Sequence, residues 1–196
     1  MNAPFLHPFS WERVIRAVEA VRERLLRATA ALETAGVPYA VIGGNAVAAW
    51  VRRAGEGGER NTPNVDLLLR RPDLAPARTA LEQAGFLHRH VEGRDVFLDD
   101  DRVKVRSAVR IWFAGEPVRP RDLLPTPDVS ESEVVSPYRV ITLAALVRMK
   151  LVSNRCIDRV HLCDMLGVGL IDASWCARLP PELAARLQEL LVDPEG

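Results

Sequence analysis

The sequence predicts an α+β fold, and three stretches carry that prediction. Apolar residues repeat at helical spacing from Trp11 to Leu32, short strand-like apolar segments begin at Tyr39, and helical spacing returns after Thr142. A chain of 196 residues suits one domain, and a hydrophobic fraction of 48% is enough to build a core. We therefore read residues 1–196 as a single domain, with an α/β core at 37–116 and a helical C-terminal part at 137–196.

Taken in order, Trp11, Val14, Ile15, Val18, Leu25 and Leu32 mark one face of a long N-terminal helix. Ser10 is placed to cap it and Gly36-Val37-Pro38 to stop it. Its other face, with Arg13, Arg16, Glu19, Glu23, Arg24 and Arg27, reads as solvated surface. A strand over Tyr39 to Ile42 runs into Gly43-Gly44, and a small-residue helix follows from Asn45 to about Arg53. The segment from Ala54 to Glu59 reads as a loop, either a lid beside a site or a plain surface connection. Asn64 to Leu69 reads as a strand, Leu74 to Ala84 as a helix ended by Gly85, and Phe86 to Leu98 as a hairpin turning at Glu92-Gly93-Arg94.

Arg102 to Phe113 reads as a strand with a basic face of Arg102, Lys104, Arg106 and Arg110. The proline-rich passage from Pro117 to Pro137 is expected to be a connector that separates core from tail. Thr142 caps a helix containing Lys150, another helix runs from Arg155 to Leu166, and Pro181 opens the last one.

Chemistry concentrates in two of these stretches. A strand followed by glycines and a helix is a shape that cradles phosphate, because glycine lets backbone approach a ligand and the helix N-terminus offers unpaired N–H groups. On the next strand, Asn64 and Asp66 are expected to share one face. Two oxygen-bearing side chains there would suit a hard divalent cation such as magnesium, although only one of them is charged.

Gly43-Gly44-Asn45, the Arg60-x-Thr62 lead-in, the Asn64-x-Asp66 strand and the later Met149-Lys150-Leu151 with Arg155 and Asp158 together resemble the minimal nucleotidyltransferase family, of the toxin-like and antibiotic-modifying type. The resemblance spans about Val37 to Leu166. It implies a mixed sheet flanked by helices, a nucleoside triphosphate held by Gly43, Gly44, Asn45, Arg60, Thr62 and Arg155, and catalytic roles for Asp66 and Lys150. It also implies magnesium at Asp66 and Asn64, weakly held, and transfer of a nucleotidyl group to an acceptor hydroxyl, with a nucleic acid or a protein as candidate acceptor. The acid motif departs from the family: Asn64 stands at the first aspartate, Arg110 nearest the third acid, and Ile157 at the lysine before Asp158. The alternative is a catalytically impaired relative that keeps the fold to bind a nucleotide, a nucleic acid or a partner.

The remaining features are read plainly. Lys plus Arg and Asp plus Glu number 26 each, so no global charge draws the chain to nucleic acid or membrane. No apolar run reaches the length of a membrane span, and the chain reads as cytoplasmic. Cys156, Cys163 and Cys176 are expected to be reduced thiols, with metal binding at Cys156, His161 and Cys163 disfavoured by their spacing. His88 and His90 alternate on a strand as solvated surface, and Asp99-Asp100-Asp101 reads as a solvated turn. Lys150 is open to two readings, a phosphate ligand or a surface lysine.

Overall fold

The computed structural model describes residues 10–55, 62–100, 107–135 and 137–193. Its centre is a seven-stranded mixed sheet in the order β3-β4-β5-β2-β1-β7-β6. The strands are β1 (Ala40–Ile42), β2 (Val65–Leu69), β3 (Leu87–Val91), β4 (Arg94–Leu98), β5 (Val109–Phe113), β6 (Ser132–Val134) and β7 (Arg139–Ile141). Among the described residues six α-helices surround it: α1 (Trp11–Thr34), α2 (Gly43–Arg53), α3 (Leu74–Gln83), α4 (Leu143–Ser153), α5 (Cys156–Gly167) and α6 (Pro181–Val192). The architecture is α+β, with a long helix in front and a helical tail behind.

Every residue of β2 is buried, as the apolar run Val65, Leu67, Leu68 and Leu69 requires of a central strand. It pairs antiparallel with β1, Ile42 opposite Asp66, and parallel with β5, Asp66 opposite Arg110. These two registers place Gly43, Asp66 and Arg110 at one end of the sheet. The hairpin β3-β4 turns at Glu92 and Gly93, both with positive φ, which matches the right-handed twist of its strands.

α1 packs mainly through its second half, by Leu25, Ala28 and Leu32, with Val21 partly buried against the same core. Ser10 stands at its N-cap without a side-chain bond. Two residues expected on its solvated face are instead tied to the sheet by ion pairs. Arg24 is buried and donates through Nε to Asp99 at 2.8 Å, and Arg27 pairs with the same carboxylate while lying over the Phe86 ring. Asp99 is thereby an anchor between α1 and the end of β4, and Asp101 lies outside the described residues.

The expected connector is part of the core. Thr126 and Val129 are buried, β6 pairs with β7, and β7 inserts parallel beside β1. Sequence alone missed these strands because each has only three residues, too few for a period of two to stand out. Trp50 on α2 closes this side by donating Nε1–H to the Ile141 carbonyl at 3.0 Å. Nor are the two histidines a plain solvated face. His88 Nε2 lies 2.8 Å and His90 Nδ1 3.3 Å from Asp95 Oδ1. Burial pushes the Asp95 carboxyl up, but the hydrogen bonds from His88 and His90 outweigh it and hold the group below its ordinary value.

Candidate functional site

The site begins where β1 becomes α2. Gly43 takes φ +69°, and a Cβ there would sit 2.6 Å from Asp66 Oδ2. Both the backbone and the carboxylate therefore demand glycine. The close approach it permits is to Asp66. Gly44 faces elsewhere: its missing Cβ would meet Thr62 Cβ at 2.9 Å. Asn45 turns its side chain inward and donates to the Asn64 carbonyl at 2.7 Å. Gly44→Val is accordingly expected to lower stability by about 1–3 kcal/mol, the usual cost of overpacking, with ligand affinity unchanged. Thermal melting and calorimetric titration of the same preparation check both halves.

Asp66 is the centre of a hydrogen-bonded network. Arg110, its neighbour across the parallel register, forks onto it with Nε to Oδ1 at 2.7 Å and Nη2 to Oδ2 at 2.8 Å. Trp112, two residues further along β5 on the same face, donates Nε1–H to Oδ1 at 2.9 Å. Both carboxylate oxygens thus already hold N–H donors. Asn64 lies in the bend just before β2, which starts at Val65, and it does not line the cavity that Asp66 lines. A magnesium ion demands near-octahedral oxygen ligands. The residues present do not fit one, and among the described residues no group of three His, Cys, Asp or Glu could hold a metal.

Next to this network, Arg94 on β4 lays its guanidinium 4.1 Å from the Trp112 ring centroid. Burial, then the like charge of Arg110, lowers its affinity for its proton. Among the described residues no carboxylate forms an ion pair with it. Arg94 is thus a partly desolvated cation held in place by an aromatic face.

The opposite wall comes from the helical tail. Thr142 caps α4, accepting the Ala145 N–H through Oγ1 at 3.4 Å, and Lys150 lies in its last turns. Lys150 is not a surface lysine: it is 5% exposed, and Nζ donates to Asp158 Oδ1 at 2.8 Å. Asn154, at φ 45°, ends α4 in the left-handed region and lets α5 start two residues later. That turn brings Arg155 onto Asp158, Nε to Oδ2 at 2.7 Å. Burial pushes the Asp158 carboxyl up, yet the Arg155 hydrogen bond and the Lys150 charge prevail and hold it well below the usual carboxylate range. Arg155 is raised, first by its hydrogen bond to Asp158.

Between the walls lies a cavity of about 570 Å³, lined by Gly43, Asp66, Arg94, Arg110 and Trp112 on the sheet side and by Arg148, Lys150, Arg155 and Asp158 on the helical side. The segment after β5 closes it with Val118, Leu124, Pro125 and Pro127. That segment is pinned by Arg70, which forks onto Asp128 at 2.9 and 2.7 Å. Of the residues expected to form a site, Gly43, Asp66, Lys150 and Arg155 do meet at this cavity. Gly44, Asn45, Thr62 and Asn64 do not line it, and Arg60 lies outside the described residues, as do Arg102, Lys104, Arg106 and the proposed lid residues after Gly55. Sequence reasoning missed Arg94, taken for a turn residue, and Trp112. Alternation along β5 was the available signal for Trp112, since it falls on the face of Arg110.

Charge in the cavity is mostly compensated. Arg110 matches Asp66, and Arg148 pairs with Glu131. The surplus is cationic: Lys150 and Arg155 share the single carboxylate of Asp158, and Arg94 adds to it.

The fold and site together define a mixed-sheet α+β protein with a closed-off carboxylate and a basic cleft. No family model matches the chain, and no curated protein matches it. Among solved structures, it is similar to the antibiotic-resistance factor ANT(2'')-Ia, at 13% identity and a TM-score of 0.49, with 93% of each chain covered. A likeness of that size carries neither activity nor substrate to this chain. Among the described residues no helix is long and apolar enough to cross a membrane.

Proposed function

We propose that this chain is a nucleotidyltransferase-like protein that binds a nucleotide through guanidinium and ammonium groups, without magnesium, and no longer transfers the nucleotidyl group. The observation that carries this reading is the Arg110 fork on Asp66. In a metal-dependent transferase a carboxylate at this end of the sheet must present its oxygens to a cation that bridges to phosphate. Here the cation beside the carboxylate is a side chain of the same protein. Arg110 neutralises Asp66, so that an anion can approach Gly43 without meeting uncompensated negative charge.

The rest of the cavity fits the same ligand. Arg94 is a planar fork suited to phosphate oxygens, and Arg155 and Lys150, both bonded to Asp158, add positive charge beside it. Val118, Leu124, Pro125, Met149 and Val152 supply apolar surface for a nucleobase, and the volume lies in the range of small-molecule sites. Metal-dependent transfer would require Asp66 to leave both Arg110 and Trp112, and a second acid to stand near it.

Calorimetric titration with adenosine triphosphate in the presence of a chelator tests the reading. Wild type is expected to bind, and Arg94→Gln to bind about tenfold more weakly, the loss of one hydrogen bond to a charged group. Equal affinity in the two proteins would remove Arg94 from the site. A folded wild type that binds no nucleotide would overturn the proposal.

A further inference from the structure

The cavity does not end at Arg119. A second recess of about 520 Å³, lined by Arg119, Arg121, Asp122, Asn154 and Arg186 among others, continues from it, and the two share Arg119, Asp122, Val152 and Ser153. Three arginines face one aspartate there. Arg186 Nη1 donates to the carbonyls of Leu151 at 2.6 Å and Val152 at 3.0 Å, and Arg119 Nη1 to that of Ser153 at 3.5 Å. These carbonyls close α4, and a helix C-terminus carries roughly half a negative charge. Asp122 is itself turned toward backbone, accepting the Arg119 N–H at 2.8 Å. The helix end and Asp122 therefore offset only part of the three cations, and the recess stays positive. Arg121 is exposed, and among the described residues no carboxylate forms an ion pair with it.

We infer that this recess is a second anion subsite, and that the ligand of the cavity carries a phosphate at each end. The inference rests on the nucleotide reading above and adds to it the chemistry of the far end. A cationic group reaching out of the cavity would meet Arg119, Arg121 and Arg186. An anionic one meets two guanidinium groups already oriented by the end of α4, with Arg121 free to swing onto it. The same chemistry is offered by a small bisphosphorylated nucleotide and by a strand of nucleic acid.

The test compares three probes by calorimetry in chelator and low salt: adenosine 5′-monophosphate, adenosine 3′,5′-bisphosphate and a 5′-phosphorylated trinucleotide. The variants are Arg121→Gln and Arg121→Glu, at an exposed position that lines only the outer recess. At least one of the probes with more than one phosphate is expected to bind wild type about fivefold more tightly than the monophosphate, as one exposed ion pair allows. Arg121→Gln should erase that gain and Arg121→Glu reverse it, with monophosphate affinity unchanged. A gain with the bisphosphate assigns the subsite to a small ligand, and a gain with the trinucleotide alone assigns it to a strand. Monophosphate binding without any gain, or a gain that survives Arg121→Glu, overturns this inference and leaves the nucleotide reading intact. No binding of any probe overturns both.

Discussion

Asp158→Ala is expected to destabilise the protein by about 3–5 kcal/mol, the cost of leaving a buried charge without its partner. Asp158 is 1% exposed and Lys150 5%, so water cannot replace the lost carboxylate. Arg155 is more exposed and can turn outward, which leaves Lys150 as the stranded group. The same pair sets an acid limit on stability. The folded-state carboxyl lies well below its ordinary value of 3.8, so its contribution is fully present above that value and is lost as pH falls below it. Urea denaturation at pH 7 and at pH 3 checks both statements: wild type should lose stability between them, and Asp158→Ala should lose less. A loss under about 1 kcal/mol in the variant at pH 7 would mean that water reaches Lys150 after all.

Asp66→Ala is expected to cost about 2–4 kcal/mol, somewhat less because the Arg110 side chain keeps 27% of its exposure. The variant removes the carboxylate onto which the Arg110 guanidinium forks and the acceptor of the Trp112 indole. Replacing both partners by apolar residues of similar size, Asp66→Leu with Arg110→Met, should recover most of the loss, because no unpaired charge then remains. Denaturation of the two single variants and the double variant measures the coupling directly. Additive losses would show that Asp66 and Arg110 do not act as a pair.

Much of the fold was legible because its signals are long. The 24-residue helix α1, the buried run of β2 and the hairpin with Glu92-Gly93 each repeat a period or a turn signature several times. Strands β6 and β7 were not legible, since three residues cannot display a period and Pro117 to Pro137 looks like linker. The site divides in the same way. Gly43 and Asp66 could be placed from a turn and a strand, and Arg110 could be seen standing where an acid was expected. That Arg110 forks onto Asp66 follows from parallel pairing of β2 with β5, a contact 44 residues apart in sequence that no local pattern encodes. Asn64 was read as the first residue of a strand that starts one residue later, at Val65. That Lys150 is tied to a buried Asp158 was not legible, because the pair spans a helix junction.

Titration of wild type with adenosine triphosphate in excess magnesium and again in excess chelator tests the central claim most directly. If Arg110 has taken the place of the metal beside Asp66, magnesium should leave the affinity unchanged or lower it, since it gains no bridged contact to the protein and masks triphosphate charge. Binding tightened tenfold or more by magnesium would show that Asp66 leaves Arg110 to hold the ion, and would contradict the account.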